Sequence, residues 1–214
     1  MKTKHTKQNL KVRRQREKLM VKRELIEEFM PFARPQLVEV MSEISVIQHY
    51  RRGEHLYEIG ETQTKIYILL DGILRGYFID EIQTEITDCF MTEQWMVANS
   101  SEVLLGGEST PSVIGVEVLA DSKILEMPTD TILSLLQKYP ELARFYVQSL
   151  HQALTFHNEI NRKRLYLQGN ERYEWFCEKW PQVEQAASNH QIATFLGIRS
   201  ESLSRLRRQK RDNN

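Results

Sequence analysis

The residues of this chain whose types and spacing suit binding chemistry best lie near its end. Glu201, Ser204, Arg205 and Arg208 recur at positions i, i+3, i+4 and i+7, which places them on one face of a helix. Carboxylate, hydroxyl and guanidinium groups are side chains that hydrogen-bond to base edges and phosphates of double-stranded DNA. The pattern predicts a helix with one polar, cationic face that could enter a DNA major groove.

A second predicted helix precedes it. Ser188 and Gln191 have the spacing of a capping box, Gly197 ends that helix, and Ser200 is expected to cap the next one. The apolar stripe between them consists of Ile192, Ala193 and Leu196. Two short helices joined by a glycine-containing turn are typical of a helix-turn-helix. A terminal helical hairpin that only covers a core is the alternative, and the cationic residues that follow favour DNA.

The predicted DNA contacts have different roles. Arg205 is the predicted base reader, because a guanidinium can pair with guanine, and Glu201 could accept from cytosine. Arg208, Lys210 and Arg211 are predicted phosphate contacts, as is Arg207. The full predicted set of recognition residues is Arg199, Ser200, Glu201, Ser204, Arg205, Arg207 and Arg208.

Composition and charge limit the class of protein. With 214 residues, of which 41% are hydrophobic, the chain can form one large or two smaller domains. Residues 1–24 carry ten Lys/Arg against two Glu, and 199–214 carry six against two acids, whereas the rest is acidic.

No stretch of 18 apolar residues and no secretory signal is found, so we expect a cytoplasmic protein without membrane contact. Cys89 and Cys177 are expected to be buried, reduced thiols.

The hydrophobic periodicity predicts an α+β chain in four parts. Residues 1–23 are expected to be a flexible basic arm, either solvated or touching DNA, and short helices follow up to about residue 45. Residues 24–138 form a β-barrel domain with flanking helices, 139–165 a dimerisation helix, and 166–214 the helix-turn-helix domain.

The barrel is predicted from a period of two. The predicted strands are 46–50, 55–59, 65–70, 73–79, 85–91, 112–119 and 123–127. Asp71-Gly72 and Ala120-Asp121-Ser122 are two of the turns predicted between them. Short antiparallel strands in such a number favour a double-sheet jelly roll or small barrel, which could hold a small ligand.

The dimerisation helix is predicted from an apolar stripe between about residues 141 and 164. A helix of about 37 Å is too long for a barrel of this size to bury, which favours self-association. Packing on its own barrel alone is the alternative. The predicted seam consists of Tyr146, Leu150, Ala153, His157 and Ile160.

Two segments carry a resemblance to a known family. Arg-Gly-Glu-His-Leu-Tyr-Glu-Ile-Gly-Glu at 52–61 and Ile-Tyr-Ile-Leu-Leu-Asp-Gly-Ile-Leu-Arg at 66–75 resemble the first half of the cyclic nucleotide-binding domain of Crp/Fnr regulators. The order of barrel, long helix and helix-turn-helix is also similar, over about residues 25–208. The resemblance implies a homodimeric transcription regulator whose partners are DNA, an unidentified small-molecule effector and RNA polymerase.

The sequence departs from that family in its effector cassette. Where cyclic-AMP-binding members have Gly-Glu and then Arg-Ser, this chain has Ser101-Glu102 and then Ser112-Val113. Glu102, Ser112 and Val113 thus mark a possible effector pocket that lacks the arginine for a cyclic phosphate. We expect an effector other than cyclic AMP, or none, and no cofactor. The family's recognition-helix Arg-Glu…Arg pattern falls on Ser200, Glu201 and Arg205, so its first arginine is absent. We also expect no wing after the last helix.

Other functions known for similar barrels have less support in the sequence. Iron–sulfur sensing lacks its cysteines, and haem sensing would rest on single histidines such as His49, His55, His151 and His157. A metal-dependent enzyme with a cupin-like barrel would need paired histidines and a carboxylate, and no defensible set or nucleophile–base pair is found. A ligand-binding module without a DNA role is opposed by the terminal motif. We therefore expect a regulator rather than an enzyme.

Overall fold

A computed structural model of the chain describes residues 19–92, 94–97 and 110–212. Two helices come first: α1 at 19–29 and α2 at Pro35–Ile44, which begins with its proline in the first turn. Their apolar faces pack on one side of the sheet. The buried residues of this contact include Ile26, Met30, Leu37, Val38 and Met41 from the helices, and Ile66, Ile68, Leu125 and Met127 from the strands.

Antiparallel strands then form one six-stranded sheet among the described residues. The strands are β1 (Val46–Tyr50), β2 (His55–Tyr57), β3 (Lys65–Ile79), β4 (Glu85–Met91), β5 (Trp95–Val97) and β6 (Gly115–Pro128). Their order is β1-β6-β3-β4, with β2 also pairing with β6 and β5 with β3. The expected α+β class, with an antiparallel barrel and a C-terminal helical region, is confirmed.

Two predicted turns are bends within continuous strands. The expected strands 65–70 and 73–79 are joined in β3, and those at 112–119 and 123–127 are joined in β6. The two strands stay paired through this region, with register shifts between Leu69 and Leu74. Gly72 has φ +112°, and a Cβ there would lie 2.1 Å from Ser122 Oγ. The turn prediction was wrong because strand pairing overrides local turn propensity here, and the irregular residues produce a bend instead.

The bends divide the sheet into two halves that curve around a common interior. In one half, β5 pairs with the Lys65 end of β3 and β1 with the Pro128 end of β6. In the other half, β4 pairs with the Ile79 end of β3 and β2 with the Gly115 end of β6. Apolar side chains and two stacked tyrosines, Tyr57 and Tyr67, fill the interior. Cys89 lies in this interior, and both cysteines are free and buried, as expected.

Helices form the rest of the chain. They are α3 (Thr129–Leu136), α4 (Pro140–Tyr166), α5 (Gly169–Lys179), α6 (Pro181–Ala186), α7 (Asn189–Leu196) and α8 (Ser200–Asp212). The long helix α4 has 27 residues, or about 40 Å.

The helical region packs directly on the outer face of the β2–β4 half of the sheet. Ile73, Phe90 and Leu119 from the strands share one buried core with residues of α4 to α8. The Phe90 ring lies 5.0 Å from that of Phe195 and 5.8 Å from that of Phe176, between centroids. Stacked and tilted rings at such distances contribute beyond their buried area, so this contact fixes α7 against the barrel.

Candidate nucleic-acid interface

Helix α7 has the termini that the sequence predicts. Ser188 Oγ accepts a hydrogen bond from the Gln191 N–H at 3.2 Å, and Gln191 Oε1 accepts one from the Ser188 N–H at 2.8 Å, which completes the capping box. Gly197 ends the helix in the left-handed conformation at φ 64°. The turn directs the chain into α8 at a defined angle.

Helix α8 begins one residue earlier than expected. The Arg199 carbonyl accepts the Leu203 N–H at 3.1 Å, so Arg199 occupies the capping position and Ser200 is the first helical residue. The prediction that Ser200 caps the helix was therefore wrong by one residue. Its carbonyl instead accepts from Asn189 Nδ2 at 2.8 Å, which ties the start of α8 to the start of α7.

One face of α8 is open to solvent. Glu201, Ser204, Arg205 and Arg208 are all exposed, whereas Leu203 is completely buried on the opposite side. Arg199 is exposed at the turn before the helix, and Ser200 is half-buried. The helix therefore presents a carboxylate, a hydroxyl and two guanidinium groups together, as a recognition helix requires.

Arg207 differs from the other predicted contacts. Its Nε donates to Glu184 Oε1 at 2.9 Å, and its Nη2 donates to the Glu184 carbonyl at 2.8 Å. Glu184 Oε1 also accepts from the Tyr173 hydroxyl at 3.0 Å. Arg207 therefore holds α8 to α6, which distinguishes it from the other predicted phosphate contacts.

A groove of about 680 Å³ runs between α6 and α8. Arg208, Lys210 and Arg211 line its rim, and Glu184 and Asn189 lie on its other side. Three cations close to the exposed face of α8 extend its positive charge toward the end of the chain, where a phosphate backbone beside a major groove would run.

Two arginines that the sequence analysis missed fix the end of α7. Arg164, near the end of α4, donates through Nε to the Phe195 carbonyl at 2.7 Å, and Arg172 of α5 donates through Nη1 to the Leu196 carbonyl at 2.8 Å. These carbonyls are at the helix C-terminus, where cations are favourable. Burial lowers the pKa of the Arg164 guanidinium. The hydrophobic periodicity of α4 predicts a role for its apolar stripe but none for the arginine at its end.

The structure describes only two of the three residues predicted to line an effector pocket. Glu102 lies outside the described residues. The Ser112 hydroxyl donates to the Ile114 carbonyl at 2.6 Å, and its backbone bonds to Gly60 and Glu61. Val113 is 76% exposed. Both residues precede β6, and Ser112 is buried whereas the Val113 side chain is open to solvent.

The exposed apolar face of α4 coincides only partly with the predicted dimer seam. Ile160 is 2% exposed and packs in its own chain's core with Phe176 and Trp180, so it cannot contact a partner, while Tyr146, Ala153 and His157 are half-buried. The exposed apolar row consists of Val147, Leu150 and Leu154. Spacing alone placed Ile160 on the seam because it cannot tell which neighbour covers a stripe.

The described segments lack two features that mark other classes of protein. They contain no group of three or more His, Cys, Asp or Glu that could hold a metal ion, so the cupin-like alternative has no ligand set there. None of the helices within them has the length and apolar character needed to cross a bilayer.

Comparison with known proteins gives a domain family and a fold. Residues 47–139 match the family described as cyclic nucleotide-binding domain. Comparison with curated proteins finds no significant match. Solved structures share the fold over most of the chain, including FixK2 from Bradyrhizobium japonicum, with 16% identity, TM-score 0.65 and coverage of 79% of this chain and 86% of that one.

Two further structures are similar. A protein of Eubacterium rectale assigned to the Crp/Fnr family of transcriptional regulators has 15% identity and TM-score 0.69, with 87% of this chain and 89% of that one covered. The c-di-GMP-responsive global regulator CLP from Xanthomonas campestris has 13% identity and TM-score 0.63, with 80% and 88% covered. The resemblance seen in the sequence thus extends to the fold of most of the chain.

Proposed function

We propose that this chain, which contains a cyclic nucleotide-binding domain and shares the fold of Crp/Fnr regulators, is a sequence-specific DNA-binding transcription regulator. The observation that carries the proposal is the exposed row Glu201, Ser204, Arg205 and Arg208 on a helix that follows a capped helix and a left-handed glycine. Arg205 and Glu201 read base edges. Arg199, Arg208, Lys210 and Arg211 contact phosphates and set affinity without sequence preference.

The regulator acts as a homodimer through α4. Val147, Leu150 and Leu154 are exposed at spacings of three and four residues, and His157 continues the row, as in a coiled-coil seam. The same stripe on the α4 helix of a second copy, 27 residues long, is the surface that covers this one best. A two-fold pair also gives each recognition helix a half-site about one helical turn from the other.

The effector is not cyclic AMP, or the regulator needs none. Neither Ser112 nor Val113 supplies a cation for a cyclic phosphate, and burying a phosphate without a cationic partner is unfavourable. RNA polymerase is the partner that a regulator bound beside a promoter would contact. The protein acts in the cytoplasm, where the DNA is.

Selection of bound fragments from the source genome tests the function. The purified protein should recover fragments that share an inverted repeat, and a labelled duplex carrying the repeat should be shifted in a gel at protein concentrations that leave a scrambled duplex free. Recovery of random fragments, with equal affinity for both duplexes, would contradict sequence-specific binding.

A further inference from the structure

The outer face of the barrel carries one buried charge that faces the helix-turn-helix. Arg75 of β3 is 1% exposed, while its neighbour Leu74 faces the barrel interior. A buried guanidinium is unfavourable unless it is paired and hydrogen-bonded. Its Nε donates to Thr87 Oγ1 at 2.9 Å, and its Nη1 donates to Glu85 and Glu117, both at 2.9 Å.

Both Thr87 and Glu117 in turn contact α7. Glu117 Oε2, which accepts from Arg75, also accepts from Gln191 Nε2 at 3.1 Å. The Thr87 N–H donates to Thr194 Oγ1 at 3.2 Å. Gln191 and Thr194 are three residues apart, so they lie on the same face of α7. The Thr87 hydroxyl that accepts from Arg75 also lies 3.3 Å from Thr194 Oγ1. One guanidinium therefore organises two residues, Glu117 and Thr87, which hold different points on the first helix of the helix-turn-helix.

Gln191 connects this network to the local structure of α7. Its Oε1 completes the capping box with Ser188, while its Nε2 faces Glu117. The start of α7 is thus bonded to the barrel, and its end is bonded to Arg164 and Arg172 of the preceding helices. The face of α8 with Arg205 and Arg208 stays exposed in this arrangement.

We propose that Arg75 is a positioning residue for DNA recognition: through Glu117 and Thr87 it locks α7 on the barrel and so fixes the reading helix in its DNA-binding orientation. The barrel then acts as a rigid support for the DNA-reading helices, and preorganisation raises affinity because less freedom is lost on binding. This inference rests on the proposed function for its effect on DNA, but the lock itself is a property of the free protein.

Two variants break the lock from its two sides. Arg75→Met removes the donors and keeps an unbranched apolar side chain in the buried site. Gln191→Glu keeps an acceptor for the capping box, loses the amide donor and sets a carboxylate against Glu117. Arg51→Met and Gln182→Glu are matched controls, since both residues are exposed and neither side chain has a bond across this interface.

Hydrogen exchange measured by mass spectrometry tests the lock in the free protein. In both variants the amides of 189–196 should exchange at least about tenfold faster than in the unaltered protein and the controls, whereas β1 and β5 on the other half of the barrel keep their rates. If Arg75→Met does not fold, hydrogen exchange in Gln191→Glu alone tests the lock, because this substitution leaves the barrel intact. Unchanged exchange in α7 overturns the lock, whether or not the protein binds DNA.

DNA affinity tests the consequence. With a labelled duplex from the genomic selection, each variant should bind about tenfold more weakly, with the same sequence preference, and the double variant should lose less than the two single losses combined. Equal affinity, tighter binding or additive losses would overturn the positioning role. If the unaltered protein binds no DNA while α7 loosens as expected, the proposed function fails and the lock stands.

Discussion

Arg207 of α8 and Glu184 of α6 are joined at two points, through the carboxylate at 2.9 Å and through the backbone carbonyl at 2.8 Å. This pair separates two neighbouring arginines that look equivalent in the sequence. Arg207 is turned into the domain, and Arg208 beside it is exposed. Substitution by alanine should therefore affect mainly the stability of the fold at Arg207 and mainly DNA binding at Arg208.

Arg208→Ala should weaken binding to all DNA sequences alike and reduce the slope of log affinity against log salt by about one, because one phosphate contact is lost. Arg207→Ala should leave that slope unchanged and lower the free energy of unfolding by about 1–2 kcal/mol, through loss of a charge-assisted contact. Binding titrations at several salt concentrations and urea unfolding measure the two effects. A reduced slope for Arg207→Ala would show that its guanidinium leaves Glu184 for DNA.

Arg205→Ala should relax base preference at one position of each half-site. A bidentate pair between guanidinium and guanine discriminates by about 1–3 kcal/mol, so the affinity difference between the preferred base and its replacements should largely disappear there. The measurement is binding to a panel of single-base operator variants, with Arg208→Ala as the control that keeps its preference. If Arg205→Ala keeps the same relative affinities for the operator variants, Glu201 and Ser204 become the base readers.

Leu154→Glu should separate the dimer. Leu154 is 60% exposed near the middle of α4, and a carboxylate facing its own copy would be both desolvated and repelled. Light scattering should give the mass of one chain for this variant and of two chains for Ile82→Glu, which also charges an exposed apolar side chain but lies on the loop between β3 and β4. A dimeric Leu154→Glu variant would place the seam elsewhere.

Gly72→Ala should destabilise the barrel much more than Gly53→Ala. Both glycines have positive φ, which strains alanine by about 1 kcal/mol, but a Cβ at Gly72 would also meet Ser122 at 2.1 Å, whereas one at Gly53 meets no atom within 4 Å. Overpacking adds about 1–3 kcal/mol or more. Thermal and urea unfolding measure how much stability each variant loses. Equal losses would mean that the bend at Gly72 accommodates the added methyl group without a free-energy penalty.

The Cys89 thiol should make the folded chain less stable at alkaline pH. Burial raises its pKa, so the folded form keeps its proton while the unfolded thiol loses it above about pH 8.5. The free energy of unfolding then falls as pH rises, by up to about 1.4 kcal/mol per pH unit from this group. Cys89→Ala should show a shallower fall between about pH 9 and pH 10, and parallel curves for the two proteins would contradict the burial.

Signals that are local in sequence predicted their structures well. The capping box of Ser188 and Gln191 and the glycine stop at Gly197 depend only on nearby residues, and the structure has both. Signals that depend on a distant partner were less informative. Asp71-Gly72 is a good turn sequence, but pairing with β6 makes it a bend, and Ile160 fits a seam by spacing but is covered by α5.

The arginines that position α7 could not be found in this way. Arg75 stands alone in an apolar strand, and only the fold brings Glu117, forty-two positions away, to its side chain. An isolated charge within an otherwise apolar strand segment is the one signal that could have indicated a buried partner. The polar face of α8 was predictable because a single helix contains all of it.

The row of aromatic rings between barrel and helices has an optical consequence. The three tryptophans of the chain are linked through Phe156: Trp95 of β5 lies 4.8 Å from that ring, Trp180 lies 5.7 Å from it, and Trp175 lies 5.3 Å from Trp180. Trp95 belongs to the barrel and the other two to the helical region, so the intrinsic fluorescence of the protein originates almost entirely where the two meet. A spectroscopist could therefore follow loosening of this contact in real time without attaching any dye, since water reaching these indoles would shift their emission to the red.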